Sequence, residues 1–227
     1  MSLGGGGATT KVDNSGSANS DLFQLGVYGT THFEQAYISG AFACTHADTS
    51  ATRSVNVAGI GETFTSKPHS DLVAGRIEIG RRFAFGFEGL TPYAALTLQN
   101  ASTDAFAETS SPAAPAFALS YGSSSDGSVR TEFGTRFDFA TIEGVTWSGR
   151  AAWVHQSKGP STTGLFEALP ATAFSIRGAA LPQDAGLVAL NTNVALAHNL
   201  QLSATGGAEL APHATTLDGR LTVRYQW

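Results

Sequence analysis

The sequence predicts an all-β protein, built as an antiparallel up-and-down β-barrel whose apolar side chains point outward. Apolar and polar residues alternate over long stretches, as in strands whose successive side chains point to opposite faces of a sheet. Short and longer connections also alternate along the chain, which is typical of a barrel with tight turns at one end and loops at the other. Charged residues on the polar face are mainly Arg and Glu, since the chain holds only Lys11, Lys67 and Lys158.

The C-terminal stretch Leu217–Trp227 shows the alternation most clearly. Its odd positions include Leu217, Leu221, Val223, Tyr225 and Trp227, and its even positions are Asp218, Arg220, Thr222, Arg224 and Gln226. A soluble sandwich would turn the apolar face into its core, whereas a bacterial outer-membrane barrel turns it toward lipid and places aromatic residues at the interface. Because paired Arg and Glu suit a confined lumen where they neutralise one another across strands, we favour the barrel over the sandwich.

The composition is compatible with this fold and argues against several others. Mean hydropathy is −0.01 and charged residues make up 14% of the chain. No apolar run in the sequence approaches the roughly 20 residues that a transmembrane helix needs. The net charge of −5 argues against nucleic-acid binding. A single cysteine, Cys44, leaves no internal disulfide and no cysteine-based metal cluster, and we predict no cofactor.

Nine strands are predicted from the alternating pattern and the turn residues between them. They are Leu22–Thr30, Ala36–Ala47, Asp71–Phe83, Thr91–Asn100, Ser128–Ala140, Thr146–His155, Asp184–Leu196, Leu200–Leu210 and Leu217–Trp227. The Gly-rich and Ser-rich segment Gly4–Asp21 is predicted to be a loop, and so are the three longest connections, Asp48–His69, Ala101–Gly127 and Gln156–Gln183. Within the last connection a helical turn is predicted at Leu165–Leu169 and a short strand at Ala173–Arg177.

One face of these strands is charged, and we predict that it lines the lumen. The lumen-facing charges would be Arg76, Glu78, Arg130, Glu132, Arg136, Arg150, Glu209, Arg220 and Arg224. On this interpretation the opposite face contacts outer-membrane lipid.

Several segments in order resemble one family, the β-barrel translocator domain of type V autotransporters. The matching segments are Gln24–Gly29, Thr49–Arg53, Gly75–Phe83, Thr91–Leu96, Glu132–Arg136, Arg150–His155, Phe174–Ala179 and the ending Tyr225–Trp227. The resemblance implies an outer-membrane translocator that exports an N-terminal passenger. It also implies that the ending, with Leu221, Val223, Tyr225 and Trp227, is the signal read by the barrel-assembly machinery. The family usually ends in Phe, so Trp227 is a departure.

The resemblance also predicts an incomplete domain. Family barrels close with twelve strands and nine are predicted here, so residues 1–20 would be a tag or loop with a remnant of an earlier strand. Residues 21–227 would then be the barrel domain, with the passenger and the first strands outside this chain. A porin-like or structural outer-membrane barrel is the alternative function.

A barrel lipid hydrolase is a further alternative, and the sequence gives it little support. Such an enzyme would need His155 or His198 beside a serine such as Ser148 or Ser203. The chain has no Gly-x-Ser-x-Gly elbow, and a catalytic triad is defined by geometry that the sequence does not provide. We therefore predict that the protein is not an enzyme and has no catalytic or metal-binding residues.

Overall fold

A computed structural model describes most of the chain. The described residues are 1–12, 16–57, 60–85, 88–110, 117–142, 144–157, 161–166, 169–177 and 182–225. Within them, no helix is long and apolar enough to span a bilayer.

The described residues form strands joined by turns and short links. In chain order the strands are β1 (Ser2–Val12), β2 (Gly16–Phe33), β3 (Ala36–Val57), β4 (Ile60–Ser66), β5 (His69–Arg81), β6 (Phe83–Phe85), β7 (Glu88–Thr103), β8 (Phe106–Ala107), β9 (Thr109–Ser110), β10 (Leu119–Tyr121), β11 (Ser124–Ile142), β12 (Val145–Gln156), β13 (Ser161–Phe166), β14 (Leu169–Arg177), β15 (Asp184–Ala197), β16 (Leu200–Ala211) and β17 (Ala214–Tyr225).

The main sheet is an antiparallel meander. Its strand order is β1-β2-β3-β5-β7-β11-β12-β15-β16-β17, so each long strand pairs with the long strands before and after it in the chain. Among the described residues, β1 pairs only with β2 and β17 only with β16, and the sheet is strongly curled with two edges. This confirms the all-β, up-and-down prediction, and each of the nine predicted strands lies within or overlaps a long strand of this sheet.

The N-terminal segment is a strand in the structure, which corrects the loop predicted there. The residue pattern predicted a loop over Gly4–Asp21, whereas the family resemblance predicted a remnant of an earlier strand within residues 1–20. In the structure β1 covers Ser2–Val12 and β2 already begins at Gly16. Gly4–Gly7 pair with Gln24–Asp21, which gives the main sheet a tenth long strand. Four consecutive glycines carry no side chains that could alternate, so the periodic signal of a strand is absent even though the backbone pairs normally.

The long connections are a second correction, because much of their described length is strand. β3 runs to Val57, well past the predicted end at Ala47, and folds back through β4. β8, β10, β13 and β14 form a separate four-stranded sheet from the two later connections. β14 covers the short strand predicted at Ala173–Arg177, whereas β13 runs to Phe166 in place of the predicted helical turn. The other strands are too short to show the long apolar alternation that identified the strands of the main sheet.

A small packed core lies at this loop end of the sheet. Phe64 and Ala118 are fully buried there, and the Arg53 guanidinium lies 4.6 Å from the centre of the Phe64 ring. Arg53 Nε donates to Glu108 Oε1 at 2.8 Å, and this hydrogen bond raises the pKa of Arg53. The buried Glu108 carboxylate also accepts the backbone N–H of Leu119 at 3.0 Å. The long connections are therefore a folded unit beyond the apolar part of the barrel wall.

The opposite end of the sheet holds tight turns. Glu34 and Gln35 join β2 to β3, and Glu34 adopts a left-handed backbone with φ 53°. Gly144, with φ 79°, lies between β11 and β12 in the same kind of conformation, which glycine adopts without steric cost. The predicted contrast between a turn end and a loop end is confirmed for most connections. The link from β16 to β17 is an exception, because it is a tight turn at the loop end, and the link from β1 to β2 at that end is also short.

Candidate functional site: the charged inner face

Strand register places the predicted lumen charges on one face of the sheet. Side chains of directly paired residues lie on the same face, and Arg76 pairs with Thr97, which in turn pairs with Arg130. One pair further along the strands, Glu78 and Glu132 both pair with Ala95. The charged residues of β5 and β11 therefore face each other across β7, whose small side chains leave room for them.

Glu132 is the centre of the resulting ion-pair network. Arg76 donates to both of its carboxylate oxygens, at 3.0 and 2.9 Å. Arg130 Nε donates to Glu132 Oε1 at 3.2 Å, and Arg150 Nη1 lies 3.7 Å from Glu132 Oε2. Arg76 also donates to Glu78 Oε2 at 2.9 Å, so it joins the two carboxylates.

Glu78 anchors the other half of the network together with two tyrosines. Arg136 donates to both oxygens of Glu78, at 2.5 and 2.8 Å, and Tyr37 donates its hydroxyl to Glu78 Oε1 at 2.7 Å. Arg136 also lies over the Tyr93 ring, 4.3 Å from its centre, and the Tyr93 hydroxyl is 3.3 Å from Glu132. Neither tyrosine was identified from the sequence. Their positions in the odd–even alternation of β3 and β7 nevertheless put them on the charged face.

Burial separates this network from an ordinary solvated surface. Glu78 is 6% exposed and Glu132 is 3% exposed, whereas Leu98, which points to the other side of the sheet, is 52% exposed. A buried carboxylate is tolerated only when it is paired and hydrogen-bonded, as both are here. One face of the sheet thus exposes apolar side chains, and the other holds a buried network of charges.

Contacts between distant strands show how strongly the sheet curls. Arg130 on β11 donates to Glu209 on β16 at 3.2 and 2.8 Å, although β12 and β15 lie between these strands. In a flat sheet the two backbones would be about 14 Å apart, at about 4.8 Å per strand. The contact between Tyr37 on β3 and Arg136 on β11, at 2.6 Å, spans the same number of strands. The charged face is therefore concave.

The two remaining predicted charges lie apart from this network. Arg220 and Arg224 pair in register with Thr205 and Gln201, on the same inner face, but both are exposed. Among the described residues neither makes an ion pair with the network.

The described residues of the predicted assembly signal lie on the outer face of β17. Val223 pairs with Leu202, which pairs with Val194, and Leu221, Val223 and Tyr225 are 71%, 64% and 57% exposed. Trp227 lies outside the described residues.

The serine and histidine pairs considered for a hydrolase are not assembled. Ser148 lies on the inner face beside Asn191, whereas His155 lies on the outer face of the same strand and pairs with Asp184 at 2.9 Å. Ser203 donates to Asn193 at 2.5 Å, and His198 lies in the exposed turn after β15. In the described part of the chain, neither serine has a histidine partner.

Comparison with known proteins identifies the family. The family model described as the autotransporter beta-domain matches residues 1–207. The chain belongs to the autotransporter β-domain family. It is therefore an outer-membrane translocator domain that exports a passenger, as the resemblance implied, and not an enzyme.

A solved autotransporter structure has the same fold. The translocator domain of autotransporter NalP from Neisseria meningitidis superposes with a TM-score of 0.78 over 99% of this chain and 72% of that chain, at 18% sequence identity. The transport unit of the autotransporter AIDA-I from Escherichia coli matches with a TM-score of 0.44 over 98% of this chain and 88% of that chain, at 12% identity. None of the curated proteins compared with the chain is significantly similar to it in sequence.

Proposed function

We propose that the concave charged face of this autotransporter β-domain lines the path along which the passenger crosses the outer membrane. The observation that supports this most directly is the contact between Arg130 and Glu209 across two intervening strands, because such a contact requires the charged face to curl around a central space. The opposite face carries exposed apolar residues such as Leu98, Trp153 and Leu190, as a surface in contact with lipid requires.

The charge balance of the network suits transport of polypeptides of varied sequence. Four arginines, Arg76, Arg130, Arg136 and Arg150, are joined to three glutamates, Glu78, Glu132 and Glu209. A wall lined by one sign of charge would concentrate opposite charges and retain them. Because these side chains neutralise one another, the wall offers water and hydrogen bonds without a strong electrostatic trap for either sign.

The network also has a mechanical role in the same function. It connects β3, β5, β11, β12 and β16 through side chains, in addition to the backbone pairing of neighbours. These cross-links hold the wall curled while a passing chain competes for hydrogen bonds.

Site-specific photo-crosslinking tests the proposed path. A photo-reactive amino acid would replace Asn191, on the inner face, or its neighbour Leu190, which is 45% exposed on the outer face. A passenger stalled during export should cross-link to position 191 and not to position 190. Equal cross-linking from both positions would contradict the proposal. A porin-like barrel, the alternative, would insert in the membrane without contacting the passenger from either position.

We further propose that the barrel-assembly machinery recognises the last strand through Leu221, Val223, Tyr225 and Trp227. This is supported by the edge position of β17 and by the register, which puts the first three on its apolar face. We also propose that residues 21–227 form an incomplete β-barrel domain and that residues 1–20 are a tag or loop with the remnant of an earlier strand, which the position of β1 at Ser2–Val12 supports.

A further inference from the structure

A cluster of two histidines and two aspartates lies on the outer face of β3 and β5. It is on the loop side of the exposed apolar residues Phe42, Ile77 and Ile79. His46 pairs in register with Asp71, and Asp48 pairs with His69. Each histidine is therefore opposite an aspartate, and the two pairs are stacked one above the other on the same face. Cys44 and Val73, the preceding pair on this face, mark the apolar side of the cluster.

The polar atoms of this cluster converge on one oxygen. Asp48 Oδ1 lies 2.5 Å from Nδ1 of His69 and 3.5 Å from Nε2 of His46. The two imidazole rings are stacked, with centroids 6.3 Å apart and planes 12° from parallel. The ligand atoms of His46, Asp48 and His69 all lie within 4.8 Å of one another.

Asp71 holds the His46 ring in one orientation. Its Oδ1 lies 2.7 Å from Nδ1 of His46, so the carboxylate accepts a hydrogen bond from that nitrogen. The proton is then held on Nδ1, and Nε2 presents its lone pair to the centre of the cluster. A carboxylate behind a histidine in this way is the usual arrangement around protein-bound metal ions, where it fixes the tautomer and orients the ring.

We propose that His46, Asp48 and His69 form a binding site for a divalent transition-metal ion, with Zn²⁺ as the best fit. Nε2 of His46, Nδ1 of His69 and Oδ1 of Asp48 would be the protein ligands, Asp71 would position His46, and water would complete a tetrahedron. Two imidazoles and one carboxylate favour zinc over calcium or magnesium, which prefer oxygen ligands. Bonds of about 2.0–2.1 Å place tetrahedral ligands about 3.4 Å apart, near the 3.5 Å between Nε2 of His46 and Oδ1 of Asp48. Nδ1 of His69 and Oδ1 of Asp48, at 2.5 Å, are hydrogen-bonded without an ion, so binding would release the Nδ1 proton to water and move these two atoms apart by about 0.9 Å.

The site is accessible to an ion from solution and joins two strands where the wall leaves the membrane. The side chains of His46, Asp48 and His69 are 48%, 58% and 54% exposed. Here β3 continues outward and β5 begins at His69. A bound ion would connect β3 to β5 at this level and hold the base of the loop unit.

A second cross-strand pair provides a matched control. His155 on β12 and Asp184 on β15 also face each other on the outer surface, at 2.9 Å, with side chains 46% and 58% exposed. Among the described residues no third ligand group joins them. If the first cluster were only a pair of surface hydrogen bonds, the two positions would behave alike.

Titration of the untagged full chain in detergent micelles with ZnCl₂ tests the site by calorimetry, and CoCl₂ titration reports tetrahedral ligands by visible absorption. One zinc ion should bind per chain, and the thermal midpoint of unfolding should rise with zinc. His69→Ala should abolish stoichiometric binding, and Asp71→Asn should weaken it about 10–100-fold. His155→Ala should bind zinc as the unmodified protein does.

Two results would overturn the proposal: no stoichiometric zinc binding by the unmodified chain, or equal loss of binding in His155→Ala and His69→Ala. Because all of these side chains are exposed, the variants should keep the β-sheet circular dichroism spectrum and the gel mobility of the folded protein. If His69→Ala does not, His69→Gln replaces it. That variant retains a polar side chain of similar size without the imidazole ligand.

Discussion

At the scale of single residues, Glu132 is the side chain on which the inner face most depends. Its carboxylate is 3% exposed and is shared by Arg76, Arg130 and Arg150. Removing its charge leaves several guanidinium groups without their partner in a place where water replaces it poorly. Glu209, by contrast, pairs only with Arg130 in the described network and keeps 32% of its side chain exposed.

Glu132→Gln should therefore destabilise the folded barrel by about 3–5 kcal/mol, the usual cost of breaking a buried ion pair from one side. Glu209→Gln, the matched control, should cost about 1 kcal/mol or less, because solvent screens the pair that it breaks. Urea unfolding of both variants in lipid vesicles gives the two free energies of unfolding. Equal losses would show that burial does not set the strength of these pairs.

At the scale of strands, the odd or even position of a residue decides which face of the sheet its side chain joins, and so whether it faces lipid. In β17 the register puts Val223 beside Leu202 and Thr222 beside Ser203, on opposite faces. Exposure alone does not separate the two faces here, since every residue of the strand is exposed. The neighbouring strand supplies the assignment, because Leu202 continues an apolar row through Val194 and Val145.

Arg at position 223 should be more costly than Arg at position 222. On the lipid face the substitution Val223→Arg should cost up to about 2–4 kcal/mol, the value for the bilayer midplane, and less as the row of Val223 approaches the turn at Val145. Thr222→Arg adds a charge to a face that already holds Arg220 and Arg224, where water can solvate it. Unfolding free energies of both variants in lipid vesicles would check the assignment, and similar values would contradict it.

At the scale of the whole molecule, the curl of the sheet and the state of its edges determine how it can insert. Within the described residues β1 and β17 each have one partner, and an edge strand presents unpaired N–H and C=O groups. In hydrocarbon each unpaired group costs several kcal/mol. During insertion the N–H and C=O groups of these edges must therefore be hydrogen-bonded or kept out of the lipid. An edge that ends in exposed apolar residues is a suitable place for an assembly factor to bind.

Deleting Trp227 should accordingly reduce insertion into the outer membrane of cells and leave the refolded protein almost as stable as before. Aromatic residues at a membrane–water interface contribute mainly interfacial contact to a folded barrel, whereas the assembly machinery would read Trp227 during insertion. Cell fractionation with a heat-modifiability gel measures insertion, and thermal unfolding in detergent measures stability. Deletion of Met1 is the control at the other terminus. Normal insertion without Trp227 would contradict the proposed signal.

The sequence by itself determined the sheet, its faces and the family. Alternation identified nine strands and assigned Arg76, Glu78, Arg130 and Glu132 to one face, because side-chain direction in a strand follows from position alone. It failed for β1, where the glycines of Gly4–Gly7 have no side chains to alternate, and for the short strands in the long connections.

Only the tertiary structure decided which charges meet. Tyr37 and Arg136 are in contact because the sheet curls, and no spacing along the chain indicates that curvature. The same holds for the pairing of His46 with Asp71 and of Asp48 with His69, which depends on the register between β3 and β5. A shift of that register by one residue would point each histidine's partner to the opposite face of the sheet and separate the cluster. Parity is a local property of the backbone, whereas register and curvature are set by the packing of all the strands together.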